Sequence, residues 1–452
     1  GTMTGPAMTG FPLIRHAAPD AAVALRGGRP VSAGSFLGAV AALAERLPDR
    51  EHVLNLCGDR LAFAIGLGAA LSRGQVSLLP PNDMPATLRQ LRHGYPGMTC
   101  LTDPGTRYPD IECIEVPAAY PTGGTSPPVP TFPAGQVAAI AFTSGSTGRP
   151  MPQVKTWGTL VRSVRGAGAA LGIRALGPAG LVGTVPHQHM YGLESVILLS
   201  LQHGLVLQAG RPFYPADIAA RLGDFHGRRI LVTTPVHLRA LLADGAAVPP
   251  LDFILCATAP LAPQLATDAE VRLSAPLHEI YGCSETGQLA VRRTRATAEW
   301  QCIDGIRLRR DSRGTWASGD FLDGETLLAD VIELNAEDRF ILHGRSADQV
   351  NIAGKRSSLA YLNHHLNSID GVLDGVFFMP DENGAEGMTR LAAFAVAPGL
   401  TPEAVTARLR ERIDPAFMPR PLRLVDSLPR NATGKITREA LARLLDDPSS
   451  GK

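Results

Sequence analysis

Three short segments of this chain hold residue types that could manage a polyanionic phosphate. The first is Thr143-Ser144-Gly145-Ser146-Thr147-Gly148-Arg149-Pro150, which follows the apolar run Ala138 to Phe142. Glycine lets a backbone come close to an anion, and hydroxyls supply donors to phosphate oxygens. A buried strand feeding such a loop suits a triphosphate, although a polar surface loop can have the same composition. No Gly-Lys-Ser or Gly-Lys-Thr closes the loop, so it is not a Walker loop. The second segment is Tyr281-Gly282-Cys283-Ser284-Glu285-Thr286-Gly287. Its carboxylate is a hard oxygen ligand for magnesium, its hydroxyls can donate to phosphate, and its ring could stack on adenine. Read alone, a Glu in a glycine turn is more often simply solvated. The third is Thr433-Gly434-Lys435, where an isolated lysine in a glycine turn is also more often solvated than catalytic.

In this order, the segments resemble the motifs of the adenylate-forming superfamily: acyl- and aryl-CoA synthetases, nonribosomal-peptide adenylation domains and luciferases. The resemblance covers about residues 30 to 445 and implies ATP and Mg²⁺ as cofactors. It places Thr143, Ser144, Gly145, Ser146, Thr147 and Gly148 around the phosphates. Tyr281 and Gly282 then lie at the base, Ser284 on a phosphate and Glu285 on the metal. Ala257-Thr258-Ala259-Pro260 is similar to the small-residue loop that admits the purine. The family pattern carries a lysine directly after the proline of the phosphate loop. Met151 stands there in this chain, and Lys155 is the next cation expected to meet the β- and γ-phosphates.

Spacing selects the ribose anchor. Ser318-Gly319-Asp320 resembles the family's Thr-Gly-Asp, but the family places its ribose aspartate fifteen residues before the arginine of a Gly-Arg motif. Asp330 stands at that distance from Arg345, whereas Asp320 stands twenty-five away. The stretch from Gly344 to Arg356 resembles the family's hinge, with Ala347 at the usual pivot position, Asp348 beside it, and Gly354 where pantetheine passes. Leu428 to Ile436 is similar to the family's Leu-Pro-Arg-Thr-x-Ser-Gly-Lys-Ile element. By that resemblance Lys435 is the catalytic cation, which offsets the repulsion between a carboxylate and the α-phosphate it attacks.

Val185-Pro186-His187-Gln188-His189-Met190-Tyr191-Gly192 matches the family's Pro-x-Phe-His-x-x-Gly region beside the acyl pocket. His189 takes the gating position; packing is the simpler reading for His187 and Tyr191. Met190, Tyr191 and Leu193 could wall a modest apolar pocket. The compact chain and its Gly-Arg-Pro-Met-Pro-Gln-Val-Lys-Thr-Trp loop are similar to the short ligases of aryl-polyene and xanthomonadin-type pigment pathways. The expected partners are therefore a small aromatic acid such as 3-hydroxybenzoate and a holo-acyl carrier protein. The alternatives are free CoA as acceptor, or a non-catalytic nucleotide-binding protein with a degenerate site.

These residues need a scaffold. Phe36, Val40, Leu43 and Leu47 step by four, three and four, which puts an apolar stripe on one helix face. Short apolar strands at Val53 to Leu56, Val76 to Leu79, Val137 to Phe142, Leu181 to Val185, Leu205 to Leu207, Ile230 to Thr233 and Phe253 to Cys256 alternate with helices. The fold class expected is α/β, with mostly parallel sheets covered by helices. Pro117 to Gly135 reads as a loop or linker. After Gly344 the texture becomes that of a small α+β unit, with strands Val376 to Met379 and Leu391 to Val396 and a helix bearing Val405, Leu409 and Ile413. Two domains are expected: residues 1–345, binding ATP and acid, and residues 346–452, a mobile lid carrying Lys435.

Bulk composition limits the other classes. The chain has 43 Lys and Arg against 42 Asp and Glu, a net charge of +1, which indicates no general attraction to nucleic acid or membrane. Its six cysteines form no Cys-x-x-Cys pair and suggest a reducing cytoplasm rather than a disulfide or zinc framework. No apolar run has membrane-spanning length. The opening Gly-Thr-Met reads as a cloning remnant, with no signal peptide after it.

Overall fold

The computed structural model describes residues 9–117, 125–144, 150–345, 348–352, 355–380, 390–432 and 434–449. Among these residues, the N-terminal part is built on two large sheets. In a six-stranded sheet, Pro150–Thr156 pairs antiparallel with Val137–Ser144, and the order continues in parallel through Val76–Leu79, His52–Asn55, Thr99–Thr102 and Cys113–Glu115. An eleven-stranded sheet has a parallel centre running from Leu277–Cys283 through Phe253–Cys256, Arg228–Thr233, Ala179–Gly183 and Val206–Gln208 to Ala22–Arg26. Its margins are antiparallel, which the expectation of mostly parallel sheets did not anticipate. At three of these pairings the reason is local: the links from Leu277–Cys283 to Gly287–Arg292, from there to Glu299–Cys302, and from Asp330–Ala336 to Arg339–Arg345 are too short for the crossover that a parallel pair needs.

Helix Arg60–Ser72 shows why the two sheets stay together. Its sequence is apolar all round, and every residue from Arg60 to Leu71 is buried. It packs on His52–Asn55 and Val76–Leu79 of one sheet and on Val206–Gln208 of the other. Gly66 lets it approach closely, since a Cβ there would meet Asn55 Nδ2 and Leu101 Cδ1 at 2.8 Å. The expected Phe36 stripe forms the buried face of helix Ala33–Arg46. The supposed linker contains a short strand, Thr131–Pro133, paired with Gly10–Pro12; its residues 118–124 lie outside the described residues.

The C-terminal unit has its own apolar core, formed by Leu362, Leu366, Phe377, Ala393, Val405 and Leu409 among others. Strands Asp374–Phe378, Ala392–Val396 and Leu422–Leu424 make its sheet. Helix Pro402–Arg410 ends before Ile413, which packs on the same core from the following turn. Among the described residues no helix is long and apolar enough to cross a membrane. All six cysteines are free.

Candidate active site

The tyrosine segment is a hairpin turn made by glycine. Strand Leu277–Cys283 pairs with Gly287–Arg292 so that Cys283 faces Gly287 and Gly282 faces Gln288. Ser284, Glu285 and Thr286 form the turn, and Gly287 takes φ +73°, the left-handed residue that closes a three-residue hairpin. Gly282 is required for another reason: a Cβ there would lie 2.2 Å from the Gly287 carbonyl oxygen. The turn thus presents the exposed Glu285 side chain outward at a fixed point.

Tyr281 is held from two directions. Its hydroxyl donates to Asp330 Oδ2 at 2.6 Å. Its ring lies 5.9 Å from Trp300 and 5.7 Å from Phe340, which stack on each other. Asp330 is the cross-strand neighbour of Arg345, so the fifteen-residue spacing corresponds to one hairpin. Asp320 sits elsewhere, at the end of the small sheet strand Gly314–Gly319, with its carboxylate 3.3 Å from where a Gly305 Cβ would be. The sequence reading missed Trp300 and Phe340, because pairing across strands is not visible in sequence spacing.

Beneath the turn lies a buried polar platform. Lys155 is only 8% exposed, and its Nζ donates to the Glu285 carbonyl oxygen at 3.3 Å. The ammonium therefore supports the turn from below, at the carbonyl of the residue expected to bind the metal. Burial lowers the Lys155 pKa, and the charges of Glu194, Cys283 and Glu285 oppose that shift. Glu194 is 2% exposed and accepts from Ser163 Oγ at 2.7 Å. Burial raises its pKa, against the Ser163 hydroxyl, the Lys155 charge and the Gln288 N–H. A Cβ on Gly287 would lie 3.2 Å from Glu194 Oε2. Glu194 was overlooked, although a lone acid inside the apolar run Leu193 to Leu201 was its signal.

The purine-loop candidate follows strand Phe253–Cys256. Ala257 is buried, and Thr258 adopts φ +83°, a strained state for a β-branched residue. Such strain clusters at binding sites, and Ala259 continues the small-residue edge.

On the acid side, His189 precedes a helical turn at Met190–Gly192, which runs on into a π-helical turn at Leu193–Leu198. Its pKa is lowered to about 4, chiefly by burial and then by Lys435 and Arg211, so the ring is neutral at pH 7. His187 is fully buried, with Nε2 on the Cys57 carbonyl at 2.6 Å. The Tyr191 hydroxyl donates to the Thr233 and Leu255 carbonyls. Both side chains hold the scaffold, and the polar end of Tyr191 is taken up by backbone carbonyls. Met190 and Leu193 are buried in the main core.

Lys435 is exposed on a turn whose Gly434 has φ +81°. The turn is docked on the large N-terminal part, since a Cβ on Gly434 would lie 3.9 Å from Thr234 Oγ1. Of Thr143, Ser144 and Arg345 only the backbone is described. Gly145, Ser146, Thr147, Gly148, Ala347, Gly354 and Thr433 lie outside the described residues.

Within the described residues, a tyrosine and an aspartate are joined edge to edge, a carboxylate is presented on a rigid turn, and a lysine arrives from a separate unit beside a neutral histidine. This arrangement defines an adenylate-forming ligase. The family model for AMP-binding enzymes matches residues 39–306, and the chain belongs to that family. It is 30% identical over 341 residues to a probable 2-succinylbenzoate–CoA ligase of Mycobacterium tuberculosis, covering 68% of this chain and 84% of the relative. It is 28% identical over 311 residues to a 4-coumarate–CoA ligase of Rhodobacter capsulatus, covering 68% and 74%. A 154-residue stretch, 31% of this chain and 28% of the relative, is 29% identical to a 3-hydroxybenzoate–CoA ligase of an Aromatoleum species. Among solved structures, O-succinylbenzoate coenzyme A synthetase from Bacillus subtilis bound to AMP superposes with a TM-score of 0.79 at 18% identity, covering 98% and 100% of the two chains. Another structure of that enzyme holds ATP and magnesium.

Proposed function

We propose that this chain adenylates an aromatic carboxylic acid with ATP and Mg²⁺ and passes the acyl group to the thiol of coenzyme A. The observation that carries the reading is the docking of the Lys435 turn on the large lobe, beside His189. Tyr281, Asp330 and the loop at Ala257 to Ala259 would bind the adenosine, with Arg345 adding a contact to the ribose. Magnesium would offset phosphate charge; the single exposed carboxylate of Glu285, completed by phosphate oxygens and water, fits its preference for few protein ligands. Lys155 then serves the metal ligand indirectly, by fixing the carbonyl of the same residue. Ser284 and the phosphate loop from Thr143 to Gly148 would supply donors to the phosphates.

In the first half-reaction the acid carboxylate attacks the α-phosphorus, pyrophosphate leaves, and the Lys435 ammonium offsets the clash of like charges. The lobe of residues 346–452 would then turn about the Arg345 to Asp348 segment and remove Lys435. The thiol attacks the acyl-adenylate and releases AMP, so one site serves two steps by exchanging its lid. Neutral His189 borders the acid without adding charge.

The relatives named above are CoA ligases, and this favours CoA over the carrier protein expected from the sequence. The phosphate-loop resemblance to pigment-pathway ligases keeps a carrier-protein thiol as the second reading, with 3-hydroxybenzoate as the first acid to try. Acid-dependent exchange of pyrophosphate into ATP, followed by thioester assays offering CoA and holo-carrier protein separately, tests both levels. No exchange with any aryl acid would sink the enzyme reading; thioester formed with carrier protein alone would sink the CoA reading.

A further inference from the structure

The Lys435 turn is held from behind by a charge cluster that crosses between the lobes. Arg430 begins the turn and donates from one guanidinium nitrogen to the Gly434 carbonyl at 2.5 Å. The rest of its fork grips Asp374, Nε to Oδ2 at 2.8 Å and Nη2 to Oδ1 at 2.7 Å. Asp374 opens the strand Asp374–Phe378 of the small lobe. Its Oδ1 also accepts from Arg239 Nη1 at 3.3 Å, and Arg239 lies on helix Pro235–Asp244 of the large lobe. The N-cap of that helix is Thr234, the residue that faces Gly434. One helix of the large lobe therefore meets the Lys435 turn at its first residue and the carboxylate supporting that turn one turn later. All three side chains are largely buried, at 19%, 16% and 19% exposure for Arg239, Asp374 and Arg430.

The two arginine contacts differ in kind. Arg430 and Asp374 belong to the same lobe, and their paired, charge-assisted bonds would travel with it. The Arg239 bond is single and longer, and it exists only while the lobes are docked this way. A contact made in one of two arrangements shifts the balance between them by its own free energy. We propose that Arg239 and Asp374 form a latch that favours the adenylating arrangement, with Asp374 and Arg430 as positioning residues for Lys435. This rests on the functional reading above. It also assigns the latch a temporary life: when the lobe turns for thiol attack, Asp374 keeps Arg430 and gives up Arg239, which returns to water.

The test uses the full chain with Arg239→Ala and Arg239→Lys. For Arg239→Ala the adenylation kcat, read by pyrophosphate exchange, should fall about tenfold, equivalent to about 1.4 kcal/mol, with the KM for the acid unchanged. Thiol transfer from supplied acyl-adenylate should not slow. Arg239→Lys, which keeps the charge, should recover most of the loss. Spin labels at Val271→Cys and Tyr361→Cys, exposed positions on the two lobes, should give a broader distance distribution in Arg239→Ala than in the parent. Equal loss of both half-reactions, no rescue by lysine, or an unchanged distance distribution would each overturn the latch. A parent chain with no acid-dependent exchange would instead refute the functional reading, and the distance measurement alone would then decide the latch.

Discussion

The nucleotide half of the site and the lysine turn are built on opposite principles. Tyr281 is fixed by a 2.6 Å bond to Asp330 and by two aromatic neighbours, and the Glu285 turn rests on a buried lysine. Two glycines there admit no other side chain without strain or collision. The Lys435 turn closes mainly on itself: Asn431 N–H donates to the Lys435 carbonyl, Gly434 N–H to the Asn431 carbonyl, and Lys435 N–H to Asn431 Oδ1. These bonds give the hook its local shape, and Arg430 and Asp374 brace it from behind. A binding site gains from preorganisation, because ordering costs are met during folding. A catalytic group that must leave between two steps gains from keeping its local shape while its docking changes.

That contrast is broken most severely at Lys435. Lys435→Ala should lower adenylation by roughly two to three orders of magnitude, the size typical for loss of one group that stabilises a transition state. Thiol transfer from supplied acyl-adenylate should persist near the parent rate. Loss of both steps together, measured in single turnover, would mean that the hook also builds the binding half and that the division is false.

The rigid half yields next, at its foundation. Lys155→Met should destabilise the fold by about 2 kcal/mol, since Glu194 keeps the Ser163 hydrogen bond but loses the lysine charge that also offsets its burial. It should also raise the magnesium requirement for pyrophosphate exchange by displacing the Glu285 carbonyl. Adding Glu194→Gln should restore much of the stability in urea denaturation without restoring the magnesium response. Additive losses in the double variant would show that the two residues do not share one platform.

Legibility in the sequence followed the same division. Motifs whose meaning is local could be read directly: the glycine turn at Gly282 to Gly287, the Gly434 turn, and the parallel strands with short apolar runs. Asp330 was reachable because a hairpin converts a fixed spacing into adjacency with Arg345. What depended on nonlocal approach was hidden. Trp300 and Phe340 meet Tyr281 only because Glu299–Cys302 and Arg339–Arg345 are neighbours in the sheet. The bond from Lys155 to the Glu285 carbonyl was hidden too, because the direction of the side chain is set by the strand pairing of Pro150–Thr156, which places it opposite Ala139. The antiparallel margin went unnoticed since a short strand such as Glu299–Cys302 alternates half-buried and buried residues, a weaker pattern than a continuous apolar run.

Acid should loosen both regions through histidine. His189 and His237 each have a pKa lowered to about 4, first by burial and then by nearby cations, against an ordinary value of 6.5. Between those values the unfolded chain takes up protons that the folded chain refuses. Stability is therefore unchanged by these two groups above pH 6.5 and falls as pH drops from 6.5 toward 4, each contributing up to about 3 kcal/mol. Urea midpoints at pH 7.5, 6 and 5 should decline, and His189→Gln should flatten part of the slope. A slope unchanged by His189→Gln would place the acid sensitivity outside the acyl region.

The smallest effect should appear at Thr258. Its φ of +83° places a β-branched residue where L-residues pay about 1–2 kcal/mol. Thr258→Gly removes that strain but gives the unfolded chain more freedom, so the net gain should be about 0.5–1 kcal/mol, seen as a Tm a few degrees higher. If the strained loop is part of the preorganised half, the same change should weaken ATP binding slightly, as a raised KM for ATP with kcat intact. A lower Tm would show that contacts of the threonine side chain outweigh its backbone strain, and the loop would then belong with the well-satisfied scaffold rather than with the residues strained for binding.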